Sequence, residues 1–282
     1  MKLKKIFALL SIPSLFLLPS CIKENSDDNY DPEVEATFKL SEDQAISESI
    51  NDDANVVFFE AAANAGLISG RTTQIFETTN TLSCANVTVS QGAFPKTIVI
   101  DFGTGCTSID GIGRAGKINI VLSDTVMDPG ATAVMTFENY STAGFNVQGK
   151  ITWTNTSTPN GISWSRKIEN GKVTEPLGGY YWLHAGMKYV TQTAGANTPF
   201  NLLDDVYSVT GEHTVTNPVG KSRTATITEA LIKPTTCHNV TKGKIKIQGL
   251  THFAIVDYGD GTCDKVATIS IDGNPPRTIL LP

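Results

Sequence analysis

Phe145-Asn146-Val147-Gln148-Gly149-Lys150-Ile151-Thr152-Trp153 alternates without a break. Phe145, Val147, Gly149, Ile151 and Trp153 fall on one side of an extended chain; Asn146, Gln148, Lys150 and Thr152 fall on the other. Successive side chains of a strand point to opposite faces, so the stretch predicts a strand in a sheet with one dry and one wet face. Working outward, similar runs recur at 97–102, 117–122, 134–138, 162–168, 180–183, 187–193, 206–210, 213–216, 224–232, 244–248, 253–258, 267–271 and 278–281. Gly and Asn punctuate them at short intervals, and Asp272-Gly273 is a hairpin signal between the last two. The gaps are too short for the crossover helices that parallel strands need. The fold class expected is mainly β, an antiparallel meander built as a curved sheet, a sandwich or an open barrel. It carries a short N-terminal helical segment.

That segment lies at 41–66. Ser41-x-x-Gln44 is a capping-box pattern, Ile46 and Ile50 fall four apart, and an Ala-rich stretch ends at Gly66, a candidate C′ residue. Val56-Val57-Phe58-Phe59 within it also suits a strand. The β-domain then occupies 67–282. Before the helical segment, 21–40 reads as an acidic tether. Residues 22–60 hold twelve acids against Lys23 and Lys39, while 61–282 is nearly neutral. An acidic leader on a neutral body argues against nucleic acid, which needs a basic stripe.

Four cysteines lie in the β-domain. Cys84-Ala85-Asn86-Val87-Thr88 leads through a strand to Asp101-Phe102-Gly103-Thr104-Gly105-Cys106. Cys237-His238-Asn239-Val240-Thr241 leads through two strands to Asp257-Tyr258-Gly259-Asp260-Gly261-Thr262-Cys263. The two passages look like copies of one unit, spanning 84–106 and 237–263. The pairing that follows is Cys84–Cys106 and Cys237–Cys263, each closing a loop worth about 3 kcal/mol in the chain-entropy model. Zinc usually asks for Cys-x2-Cys spacing, which does not occur.

The first twenty residues read as a signal. Met1-Lys2-Leu3-Lys4-Lys5 is basic, 6–18 is apolar, and Leu18-Pro19-Ser20-Cys21 supplies a cleavage site with a cysteine directly after it. This is the pattern of a lipoprotein signal peptide over 1–20, with Cys21 as the acylated first residue of the mature chain. The apolar run is too short for the ~20 residues of a spanning helix. The expected location is the outer membrane, lipid-anchored, on its periplasmic face or at the cell surface, an oxidising setting in which cysteines pair.

Asp101-Phe102-Gly103-Thr104-Gly105-Cys106-Thr107, followed by Asp110-Gly111, Arg114 and Gly116-Lys117-Ile118, resembles the signature of a family of uncharacterised bacterial outer-membrane lipoproteins. Asp257-Tyr258-Gly259-Asp260-Gly261-Thr262-Cys263-Asp264 is similar to that family's C-terminal signature. The resemblance covers most of 80–282. It implies location and β-class, and no reaction.

Chemistry-bearing residues are sparse. His184, His213, His238 and His252 share no ligand spacing and read as surface or edge histidines. Asp257, Asp260 and Asp264 form a weak calcium candidate, since hard cations want clustered carboxylates; a tight Gly-rich turn explains them more simply. Tyr180, Tyr181 and Trp182 are consecutive, so on a strand one ring must face away from the others. They are candidate ligand-facing aromatics, suited to a sugar face, set against the usual use of large rings as core. Trp153 and Trp164 read as core. No cofactor and no catalytic residue is expected. The function expected is a non-enzymatic, lipid-anchored envelope protein, a binding or surface-structural module. Its partners are the membrane through Cys21 and a glycan or envelope protein. The alternatives are a carrier of an apolar ligand and a carboxylate-dependent envelope hydrolase.

Overall fold

The computed structural model describes residues 31–68, 80–198 and 203–282. The expected signal peptide, Cys21 and the first part of the expected acidic tether lie outside the described residues. One helix, α1 (Pro32–Asn64), is followed by fourteen strands. These are β1 (Asn86–Val89), β2 (Lys96–Asp101), β3 (Cys106–Thr107), β4 (Gly113–Leu122), β5 (Thr132–Thr142), β6 (Phe145–Asn155) and β7 (Ser163–Thr174). Then come β8 (Tyr181–Ala194), β9 (Val206–Thr216), β10 (Ser222–Pro234), β11 (Lys242–Gln248), β12 (Phe253–Asp260), β13 (Val266–Ile271) and β14 (Arg277–Leu280). The strands form one open antiparallel sheet in chain order, with the short β3 pairing β4 beside the main path. The Asp272-Gly273 hairpin forms as expected, both residues taking positive φ.

The sheet curls round α1. Helix side chains bond to β4, β5, β6, β7, β8 and β10, and the helix also touches β11, β12 and β13. Almost every side chain from Leu40 to Ala63 is buried. A helix buried all round is ordinarily apolar all round. This one carries Asp43, Glu48, Asp52, Asp53 and Glu60 among its buried residues, with no apolar stripe. The sheet supplies the missing countercharge from its concave face, where Arg114, Arg166, Lys188 and Arg223 stand at positions in phase with the apolar core. β6 shows the rule: Val147, Ile151 and Trp153 face the helix while Asn146 and Gln148 face water.

Three expectations change. The helix begins at Pro32, so 32–40 is helix and not tether. Proline suits the first helical position, and Glu33 and Glu35 sit where the helix dipole favours acids. Ser41 is therefore mid-helix, its Oγ donating to Thr37 O at 2.7 Å, and caps nothing. Val56 to Phe59 is helical, and the helix closes at Gly66 as expected, with Gly66 N bonding Ala63 O and Leu67 N bonding Ala62 O. Finally, the runs at 180–183 and 187–193 merge into β8, and those at 206–210 and 213–216 into β9. The glycines between them bend the strand without ending it. Gly211 takes φ +126°, and a Cβ there would lie 2.4 Å from Met187 O, so only glycine lets β9 press onto β8 at the bend.

Candidate functional site: an aromatic cavity beside a buried ion pair

The sheet does not close completely on the upper half of α1. A cavity of about 100 Å³ remains between the helix and β6–β10. Helix residues Asp52, Asn55, Val56 and Phe59 form one wall. The concave faces of the strands bring Trp153, Trp164, Val190, Tyr207 and Val209 to the other, with Ile68, Met127 and Leu203 at the rim. The rings are locked edge to face. Phe59 stands 5.7 Å from both Trp153 and Trp164, and Trp164 stands 6.1 Å from Tyr207. Trp153 Nε1 donates to Asn55 Oδ1 at 2.9 Å; the buried Trp164 Nε1 has no hydrogen-bond partner among the described residues.

The polar lining is ordered from behind. Arg166 Nη1 donates to Asp52 Oδ1 at 2.8 Å, and its guanidinium lies 5.7 Å from the Trp153 ring. Asp205 accepts from Gln192 Nε2 at 2.6 Å and from Tyr207 Oη at 2.9 Å, which fixes the tyrosine ring. Lys233, buried on β10, donates to two main-chain carbonyls, Cys237 O and Pro234 O. No carboxylate pairs with it among the described residues. Burial pushes its pKa down, against the pull of Asp52 and Asp53. Asp52 and Asp53 act on it through space, while the direct contacts to Lys233 Nζ are carbonyl oxygens, which leaves a buried cation able to take a further anion.

Below the cavity the polar interior continues along the helix. Glu48 pairs with Lys188, sits 3.7 Å from both Arg166 Nη2 and His213 Nδ1, and accepts from Gln44 Nε2 at 3.1 Å. His184 and His213 lie with ring centroids 6.5 Å apart. Both are buried, which corrects the expectation of surface or edge histidines: His184 follows Trp182 at the two-residue spacing that keeps both on the inner face. Burial lowers the His184 pKa to about 4, helped by the cations of Lys188 and Arg166, and holds His213 well below its ordinary value.

The sequence-selected residues sit elsewhere. Trp182 is fully buried and donates to Ser47 Oγ at 2.7 Å; Tyr180 gives its hydroxyl to Asp43 Oδ2 at 2.8 Å; Tyr181 faces outward under Lys172. Two of the three rings thus brace the helix, and no exposed platform of three rings exists for a sugar. Asp257, Asp260 and Asp264 do not converge. Each accepts the backbone N–H two residues on, from Gly259, Thr262 and Val266, closing its own turn. Among the described residues no cluster of His, Cys, Asp and Glu suits a metal ion. Cys84 and Cys106, and Cys237 and Cys263, lie at bonding distance in the expected pairs. Their shared Asp-aromatic-Gly turn is the same in both units: Asp101 accepts from Gly103 N and Asp257 from Gly259 N, with Phe102 and Tyr258 buried beneath.

The cavity's charged lining left a sequence signal that pattern reading passed over. Trp164-x-Arg166-x-Ile168 and Leu231-x-Lys233 place a cation in phase with core positions. A charge on the dry face of a strand needs a buried partner or a ligand. No family model, no curated protein and no solved structure matches the chain. No helix among the described residues is long and apolar enough to cross a membrane.

Proposed function

We propose that this chain is a lipid-anchored envelope protein whose β-domain binds a compact, mainly apolar molecule bearing an acidic group. The reading of the location rests on Leu18-Pro19-Ser20-Cys21 and on the resemblance to outer-membrane lipoproteins. The reading of the ligand rests on one observation: a cavity of about 100 Å³, walled by Phe59, Trp153, Trp164 and Tyr207, with Lys233 in its lining and no carboxylate in direct contact with it among the described residues. An engineered cavity of about 150 Å³ in another protein accepts benzene, so a single ring or a short acyl chain matches this volume. The rings contribute apolar contact, and Lys233 supplies the counter-ion that selects an acid. Asp52 and Arg166 neutralise each other's charge, while Arg166 Nε and Nη2 stay without a hydrogen-bond partner among the described residues.

Titration of the mature protein with benzoate, phenylacetate and hexanoate, and with the matching alcohols, tests the reading. Expected is a saturable change in tryptophan fluorescence and a rise in melting temperature, larger for each acid than for its alcohol. If neither quantity moves for any of the six at millimolar concentration, the reading fails.

A further inference from the structure

The three most exposed large apolar residues among those described are Leu250, Leu177 and Val219, at 86%, 84% and 80%. All three are tips of turns, between β11 and β12, β7 and β8, and β9 and β10. All three turns gather at the N-terminal end of α1. Leu250 N donates to Glu33 Oε1 at 3.2 Å. Arg223 and Lys221, flanking the Val219 turn, reach Glu33 at 2.6 and 3.9 Å. Glu175, beside the Leu177 turn, pairs with Lys39 at 2.9 Å. Pro275 and Pro276 join the same end through Arg277, which pairs with Glu35 at 2.9 Å. A soluble surface gains nothing by placing its barest aliphatic side chains on neighbouring tips, and such grouping marks a surface that something apolar covers.

We infer that this end of the molecule rests on the bilayer, with Leu177, Val219 and Leu250 inserted among the lipid headgroups. The inference rests on the proposed acylation of Cys21, because the chain's path selects lipid over other partners. Pro32 leads back to Cys21 in eleven residue steps, about 40 Å at full extension, so an acyl anchor there keeps this end of α1 within that distance of the membrane. The carboxylates around the tips are paired with cations: Glu33 with Arg223, Glu35 with Arg277 and Glu175 with Lys39, while Asp272 is hydrogen-bonded to His252. Paired charges cost less to bring to the interface than free ones. The cavity lies at the other end. Phe59 is 27 residues along α1 from Pro32, about 40 Å at the helical rise, so the ligand would enter from the aqueous side.

Hydrogen exchange on the acylated full chain in phosphatidylcholine–phosphatidylethanolamine vesicles, against the unacylated Cys21→Ser chain in buffer, tests the contact. Amides at 177–179, 219–220 and 249–251 are expected to slow about tenfold on the vesicles, with the turn at 158–161 unchanged. The acylated triple variant Leu177→Asp, Val219→Asp, Leu250→Asp is expected to float with the vesicles and to lose that protection. Equal exchange at the tips in both states overturns the inference. Protection that rises with protein density at constant lipid also overturns it, in favour of a second copy of the chain. Flotation is scored separately. If the chain proves unacylated in the cell, coupling residue 21 to a maleimide lipid repeats the exchange measurement and still decides whether the tips insert.

Discussion

Asp52 and Asp53 are neighbours on α1 and open onto two different interiors. Successive helical residues point about 100° apart, so one carboxylate meets β7 and the other β4 and β5. Asp53 is fully enclosed. Arg114 grips both oxygens, Thr142 Oγ1 donates at 2.7 Å and Tyr140 Oη at 3.3 Å, and Asp110 takes the far side of the guanidinium at 2.8 Å. Asp52 has Arg166, and beyond that pair lie the cavity, a lysine that no carboxylate contacts directly among the described residues and two histidines, of which His184 has no hydrogen-bond partner there on either nitrogen. A closed network of this kind holds a fold, while unmet polar groups beside an apolar cavity mark a place built to receive something.

The comparison breaks most visibly on the closed side. Arg114→Ala leaves Asp53 buried without its cation and is expected to cost about 3–5 kcal/mol in urea unfolding, with ligand binding by the surviving folded protein unchanged. Asp52→Asn, which keeps the shape and removes a carboxylate from the lining, is expected to cost less and to strengthen binding of the acids. If the two variants lose stability and affinity in equal proportion, the division between the interiors is wrong.

Each interior also has its own disulfide. Cys106 pairs with Arg114 across β3 and β4, whereas the carbonyl of Cys237 holds Lys233. Replacing either pair by serines is expected to cost about 3 kcal/mol. Only the Cys237→Ser, Cys263→Ser protein is expected to lose preference for acids over alcohols, because only there does a ligand-facing group lose its support. Calorimetric titration of both double variants makes the distinction.

The open side is the pH-sensitive one. His184 at about 4, His213 and the half-buried His238 all have folded pKa values depressed below their unfolded value. The unfolded chain therefore takes up imidazole protons that the fold refuses as pH falls from about 6.5 towards 4, and stability is lost through that window. Asp43 opposes this. Burial raises its pKa to about 6, so between its unfolded value and 6 the fold holds one proton more. His184 and His213 together outweigh it by about one proton, which predicts a loss of about 1.4 kcal/mol per pH unit between pH 6 and 4.5, with His238 adding to it in the same direction. His184→Gln with His213→Gln is expected to flatten that slope in urea melts at stepped pH. An unchanged slope assigns the effect elsewhere.

How much of this was legible in the sequence follows from the range of the interactions. The β6 alternation, the cysteine pairing, the Gly66 helix end and the Asp272-Gly273 hairpin are written in residues within one unit of one another, and local patterns found them. The start of α1 was missed because its acids are satisfied from far away: Glu33 and Arg223 are 190 residues apart. Alone, 21–40 looks like a solvated leader; beside its partners, the second half of it is helix. The cavity was missed for the same reason. Its two tryptophans read as core and are buried, and nothing local distinguishes a tryptophan that seals a core from one that leaves space beside it.

The finest separation of the two interiors uses Lys233. Lys233→Met keeps the length of the side chain and removes a buried ammonium that no carboxylate compensates. Replacing poorly compensated buried charge with apolar atoms is commonly neutral or stabilising, so the ligand-free protein is expected to gain about 1 kcal/mol at pH 7. In the same protein benzoate and benzyl alcohol are expected to bind alike. Arg114→Met offers the contrast: an equally conservative change on the closed side is expected to destabilise and to leave that discrimination untouched. A group that lowers stability while conferring selectivity is one retained for binding. If Lys233→Met instead destabilises the fold and preserves the preference for acids, Lys233 belongs with Arg114 as a structural cation, and the cavity has no charged recognition element.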